Sequence, residues 1–148
     1  MSRQSAEQIE ELVAAARQVR ERAYAPYSGF HVGAAVLAAG GELFVGANVE
    51  NASYPVSVCA ERNAVAAAVS AGVREIEAVA VVAGDEVTPP CGGCRQVLNE
   101  FGPDMLVVSE SVSGDRRQWR LLELLPDAFG PRSFHPAPGS AGSPGSAG

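Results

Sequence analysis

The sequence predicts an α/β protein with a mixed sheet of about five strands and helices on its faces. Three observations lead there. Stretches of helical periodicity alternate with short, β-branched apolar runs. Glycine and proline punctuate them at short intervals. The 148 residues are 47% apolar, enough for one domain with a real core.

Residues 5–22 read as an amphipathic helix. Ile9, Leu12, Val13, Ala16 and Val19 form one stripe, and Ser5 and Gln8 have capping-box spacing. "YAPYSGF" ends that pattern with Pro26 and Gly29. The runs "HVGAAVLAA" and "ELFVGANV", joined through Gly40-Gly41, read as a β-hairpin. "NASYP" is a loop. A helix opens at Cys59 and ends at Gly72, a natural residue just past a helix end. "IEAVAVVAG" is a buried strand and "TPPCGGC" a turn. "CRQVLNEFG" is a short helix starting at Cys94 and stopped by Gly102-Pro103, and "DMLVVSE" is another strand. "RRQWRLLELLP" admits a strand, a helix, or one leading into the other. Residues 1–130 are expected to form the folded domain. Residues 131–148 read as a flexible Gly/Ser/Pro-rich tail, too poor in core-sized side chains to offset the entropy of ordering.

A net charge of −6 argues against a polynucleotide partner, whose binding relies on a basic surface. The one basic cluster, Arg116 to Arg120, reads as a solvated face. The N-terminus has charges throughout and no apolar leader core, and no stretch reaches membrane-spanning length, so a cytoplasmic protein is expected.

Cys59, Cys91 and Cys94 are the only cysteines. An odd number without a leader speaks for metal or redox chemistry rather than a disulfide framework. Cys91 and Cys94 form C-x-x-C ahead of a helix, and Cys59 opens another, so all three thiols sit where backbone N–H groups and helix dipoles favour thiolates. Three thiolates supply three corners of a zinc tetrahedron and leave the fourth for water, as in catalytic sites. The only histidines are His31 and His135. His31 reads as a solvated strand residue, and His135 falls in the tail. Glu61, close to Cys59, can then shuttle protons without binding the metal. Arg62 can offset the excess negative charge of three thiolates.

C-A-E-R followed by P-C-G-G-C-R-Q resembles the zinc-dependent cytidine deaminases of the small, three-cysteine, homotetrameric type. The resemblance extends over "AYAPYSGFHVGAAVL", "NVENASYP" and "LLPDAFGP", from about Tyr24 to Pro131. It implies a three-layer α/β/α fold and one Zn²⁺ per chain on Cys59, Cys91 and Cys94, with Glu61 as proton shuttle and Arg62 supporting the thiolates. It further implies that Asn48 and Glu50 bind ribose hydroxyls and that Phe30 packs on the nucleoside. Tyr54 and Phe129 would reach a neighbouring subunit's site. Ala47, Asn63 and Gly93 depart from the commoner residues at their positions, none in the implied chemistry. The implied reaction is hydrolytic deamination of cytidine and 2′-deoxycytidine at C4, giving uridine and 2′-deoxyuridine for pyrimidine salvage. Three other readings use parts of the same motifs. A blasticidin-S-type deaminase keeps C-A-E and P-C-x-x-C but lacks the N-x-E pair in this form. A non-catalytic zinc module needs a fourth protein ligand. A C-x-x-C redox protein leaves Cys59 and Glu61 unexplained.

Overall fold

The computed structural model describes residues 4–134. Helix α1 spans Ala6–Arg20, and the Ser5–Gln8 capping box is formed in both directions. Strands β1 (Gly33–Ala38) and β2 (Leu43–Ala47) are the antiparallel hairpin. Strand β2 stops short of the expected Val49, which instead bridges singly to Tyr24 and Val58. Within "NASYP", Tyr54 starts a 3-10 turn, Tyr54–Val56. Helix α2 (Ala60–Ser70) closes as a Schellman motif: Val73 N–H donates to Ala68 O, Gly72 N–H donates to Val69 O, and Gly72 has φ 98°.

Strand β3 (Ile76–Val82) and helix α3 (Gly92–Phe101) follow. Helix α3 begins two residues before the position the sequence predicts. Gly92 and Gly93 are poor helix formers, so propensity places them outside. In the structure both are helical, and Arg95 N–H already bonds Cys91 O at 2.9 Å. Strand β4 is Leu106–Glu110. The ambiguous last segment is a strand leading into a helix, β5 (Arg116–Arg120) then α4 (Leu121–Leu124). The basic cluster in β5 is largely paired within the fold. Arg116 bridges Glu10 and Glu110, Arg120 bonds Asp104, and Arg117 stacks on Trp119 at 4.9 Å. Beyond the domain boundary drawn from sequence, Pro131–Ser133 form a further 3-10 turn, and His135 lies outside the described residues.

The sheet order is β2-β1-β3-β4-β5, with β3 and β4 parallel and every other pair antiparallel. Alternating strand residues serve opposite faces. Ala35, Leu37, Ala78, Ala80 and Val82 pack on Leu12, Val13 and Ala16 of α1. On the other face Val36, Val79, Val81 and Val107 pack on Ala64, Val65 and Ala68 of α2 and Leu98 of α3. This is the expected three-layer α/β/α arrangement.

Gly46 sets how closely α2 approaches the sheet. A Cβ there would lie 2.4 Å from Ala64 N and 2.6 Å from Ala60 O, both backbone atoms of α2. Gly46→Ala therefore forces the whole helix outward. It is expected to lower stability by about 1–3 kcal/mol, read as a shifted urea midpoint at unchanged m-value. An unchanged midpoint would show that α2 does not depend on this contact.

Candidate active site and metal centre

Cys59 is the N-cap residue of α2 and Cys91 that of α3, both extended (φ −69°, ψ 152° and φ −66°, ψ 166°). Neither uses its side chain to cap its helix. Serine or aspartate there would satisfy orphan N–H groups; a thiol instead leaves its sulfur for another partner. Cys94 sits within the first turn of α3 and is fully buried. The packing of α2 beside α3 brings the three sulfurs together, all within 4.8 Å of one another. For comparison, ligands of a tetrahedral zinc–thiolate centre stand about 3.8 Å apart, given Zn–S bonds of about 2.3 Å. Among the described residues this is the one such cluster of candidate ligands, and it holds three donors.

The electrostatics favour a cation. Hydrogen bonding from Cys94, then from Cys91, with the nearby Arg62 charge, brings the Cys59 thiol down to about 6. The hydrogen bond with Cys59, together with burial and the Glu61 charge, pushes Cys94 up. Packed this tightly, the sulfurs cannot all lose their protons unless a positive ion replaces them. Soft, anionic sulfur donors in this number suit zinc.

A cleft of about 200 Å³ opens beside the sulfurs. Cys59, Cys91, Glu61, Phe30 and Asn48 all line it, with Thr88 and Pro89 forming another part of its wall. Glu61 is only 5% exposed, and burial first, then the Cys59 charge, raises its carboxyl above the usual range. Arg62 is exposed, and its charge and donor groups act on the Cys59 sulfur. The Phe30 ring lies over Gly84, where an added Cβ would stand 3.1 Å from Cε1. Asn48 fixes the segment carrying that ring. Its Oδ1 accepts from Val32 N–H at 2.8 Å, and its Nδ2 donates to Phe30 O at 2.8 Å. The second hydrogen on Nδ2 remains in addition to these. Two of the unusual residues also meet, as Asn63 Nδ2 donates to Ala47 O at 2.8 Å and ties α2 to the strand end before Asn48.

Three of the five residues expected to bind substrate lie outside this cleft. Glu50 and Tyr54 line a neighbouring cavity of about 290 Å³ with Tyr27, Ser28 and Ser57. The Glu50 carboxylate accepts from the N–H groups of Tyr27 and Ser28 and from the Ser28 hydroxyl, which hold its pKa low, the hydroxyl most of all. Tyr54 is 69% exposed and meets Tyr27 edge-on. Phe129 is 62% exposed and meets Phe134 edge-on, and its carbonyl accepts from Gln96 Nε2 at 2.7 Å. Sequence reading passed over Thr88 and Pro89. They belong to the quoted turn "TPPCGGC", but only the fold puts them in one cleft with Glu61.

Fold and site together define a thiolate metalloprotein of the α/β/α class, with a buried carboxyl beside the metal group. Residues 6–110 match the cytidine and deoxycytidylate deaminase zinc-binding region. The cytidine deaminase of Sporosarcina psychrophila is 47% identical over 123 residues, covering 82% of this chain and 90% of the relative. That of Mycobacterium tuberculosis is 47% identical over 116 residues, covering 78% and 84%. The crystal structure of cytidine deaminase from Burkholderia pseudomallei superposes with a TM-score of 0.78 at 48% identity, covering 81% of this chain and 98% of that one. The chain belongs to the zinc-binding cytidine and deoxycytidylate deaminase family. Among the described residues, no helix is long and apolar enough to cross a membrane.

Proposed function

We propose that the protein is a cytidine deaminase that hydrolyses cytidine and 2′-deoxycytidine at C4, releasing ammonia and giving uridine and 2′-deoxyuridine. The observation that carries this reading is the buried Glu61 carboxyl, which shares one cleft with Cys59, Cys91, Phe30 and Asn48. Cys59, Cys91 and Cys94 hold one zinc ion. When bound, zinc supplies the Lewis acidity that makes water a competent nucleophile near neutral pH. Glu61 takes a proton from the attacking water and delivers it to N3. It then carries the remaining hydroxyl proton to the amine, the C4–N4 bond breaks, and ammonia leaves. The raised pKa of Glu61 suits a group that must both accept and donate. Arg62 offsets the formal charge of −1 left by three thiolates on one Zn²⁺. Phe30 packs on the nucleoside, and Asn48 and Glu50 serve the ribose hydroxyls, Glu50 from the adjoining cavity.

Ultraviolet absorbance of cytidine incubated with the zinc-loaded protein tests the reading, since it falls as uridine forms. Blasticidin S deaminated far faster than cytidine would reassign the substrate.

The finer reading is a cytoplasmic homotetramer serving pyrimidine salvage. Residues 1–130 carry the activity, and 131–148 are dispensable. The exposure of Tyr54 and Phe129 outside the cleft supports their closing a neighbour's site. Glu61→Ala and Phe129→Ala chains, each nearly inactive alone, are then expected to regain activity when refolded together. Some sites in the mixture combine an intact Glu61 with a neighbour's intact Phe129. Confirmed mixed oligomers without recovery would show that each chain completes its own site.

A further inference from the structure

The cleft-lining residues Thr88 and Pro89 lead through Pro90 into Cys91. Pro89 and Pro90 have no N–H, so between Thr88 and Cys91 this segment can be held through its backbone only by carbonyls. Both ends are held by side chains from elsewhere. Ser109 on β4 is fully buried, and its hydroxyl donates to Thr88 O at 2.7 Å. Arg95 on α3 donates Nε–H to Pro90 O at 2.7 Å, while its Nη1 donates to Leu124 O at 2.9 Å. The stretch between has φ locked by its proline rings. Two clamps on a stiff segment fix both the face that Thr88 and Pro89 present to the cleft and the direction from which Cys91 arrives.

We propose that Ser109 and Arg95 are positioning residues with separable tasks: Ser109 sets the substrate-facing wall, and Arg95 sets the approach of the Cys91 sulfur to the metal. The word substrate rests on the deaminase reading above. Neither residue touches the reacting atoms.

Ser109→Thr and Ser109→Val have the same shape and differ only in the hydroxyl, so they are compared with each other. The Val variant is expected to show a KM for cytidine about fivefold above that of the Thr variant, the scale of one net hydrogen bond. It should also show faster amide exchange in the peptide covering residues 84–94. Zinc release into a chromogenic chelator should be equal in the two. Arg95→Met is expected to release zinc about tenfold faster than wild type, the lower end for loss of a partner behind a metal ligand. Arg95→Lys, which keeps the charge but lacks the fork that spans both carbonyls, should also release zinc faster. Thr and Val variants alike in both KM and exchange would overturn the Ser109 assignment. Wild-type zinc release from folded Arg95→Met or Arg95→Lys would overturn the Arg95 assignment. If wild type fails to convert cytidine, the deaminase reading falls alone, because exchange and zinc release do not depend on it.

Discussion

Replacing Glu61 by glutamine is expected to lower cytidine turnover by at least about a hundredfold while zinc stays bound. The amide keeps the volume of the carboxyl in a place only 5% exposed, so packing at the start of α2 is preserved. What it loses is the ability to carry a proton between water, ring nitrogen and leaving amine. Steady-state kinetics beside zinc analysis of the same preparation make the comparison. Near-normal turnover with a full complement of zinc would remove Glu61 from proton transfer. A loss of zinc would instead assign it to the metal group.

The second large effect belongs to Cys94. Cys94→Ala is expected to abolish zinc retention, with a loss of metal affinity beyond the roughly 100-fold that an outer-shell partner costs. Turnover should vanish with the metal. Cys94 is the fully buried member of the trio, and no other thiol in the chain can replace it. Wild type should carry about one zinc per chain, with its thiols becoming titratable only after chelation. Zinc analysis, thiol titration and circular dichroism on both proteins separate metal loss from unfolding. A folded Cys94→Ala protein with full zinc would require a different ligand set.

The parts of this site legible in the sequence are those encoded by local spacing. Cys59 and Glu61 stand beside each other at one helix mouth, and Cys91 and Cys94 at another. The Ser5–Gln8 box and the Gly72 stop likewise depend only on near neighbours. The start of α3 was missed because Gly92-Gly93 carries a propensity penalty that tertiary contacts override. The contacts of Glu50 were not legible because nothing in "NVENASY" announces that the turn at Tyr27 and Ser28 will fold back onto its carboxylate. Ser109 was invisible as a wall-setting residue, since its bond to Thr88 joins positions 21 apart and only the fold brings them together. The last segment stayed ambiguous because alternating Arg, Gln and Trp runs straight into a leucine-rich turn with no glycine or proline between them.

The sheet also has two dissimilar ends. Val32, Asn48, Val81 and Ala83 line the cleft where Gly33, Ala47 and Val82 meet. The Gly40–Gly41 turn and the Gly72–Arg74 corner lie at the far end, beside the Ala38–Ile76 pairing, and share one shallow depression there. That distant pole is a handle. A dye, an affinity peptide or a surface linker introduced between Gly40 and Gly41 would project away from the cleft that Glu61 lines. Immobilised by this turn, the molecule would present its working face to the solution.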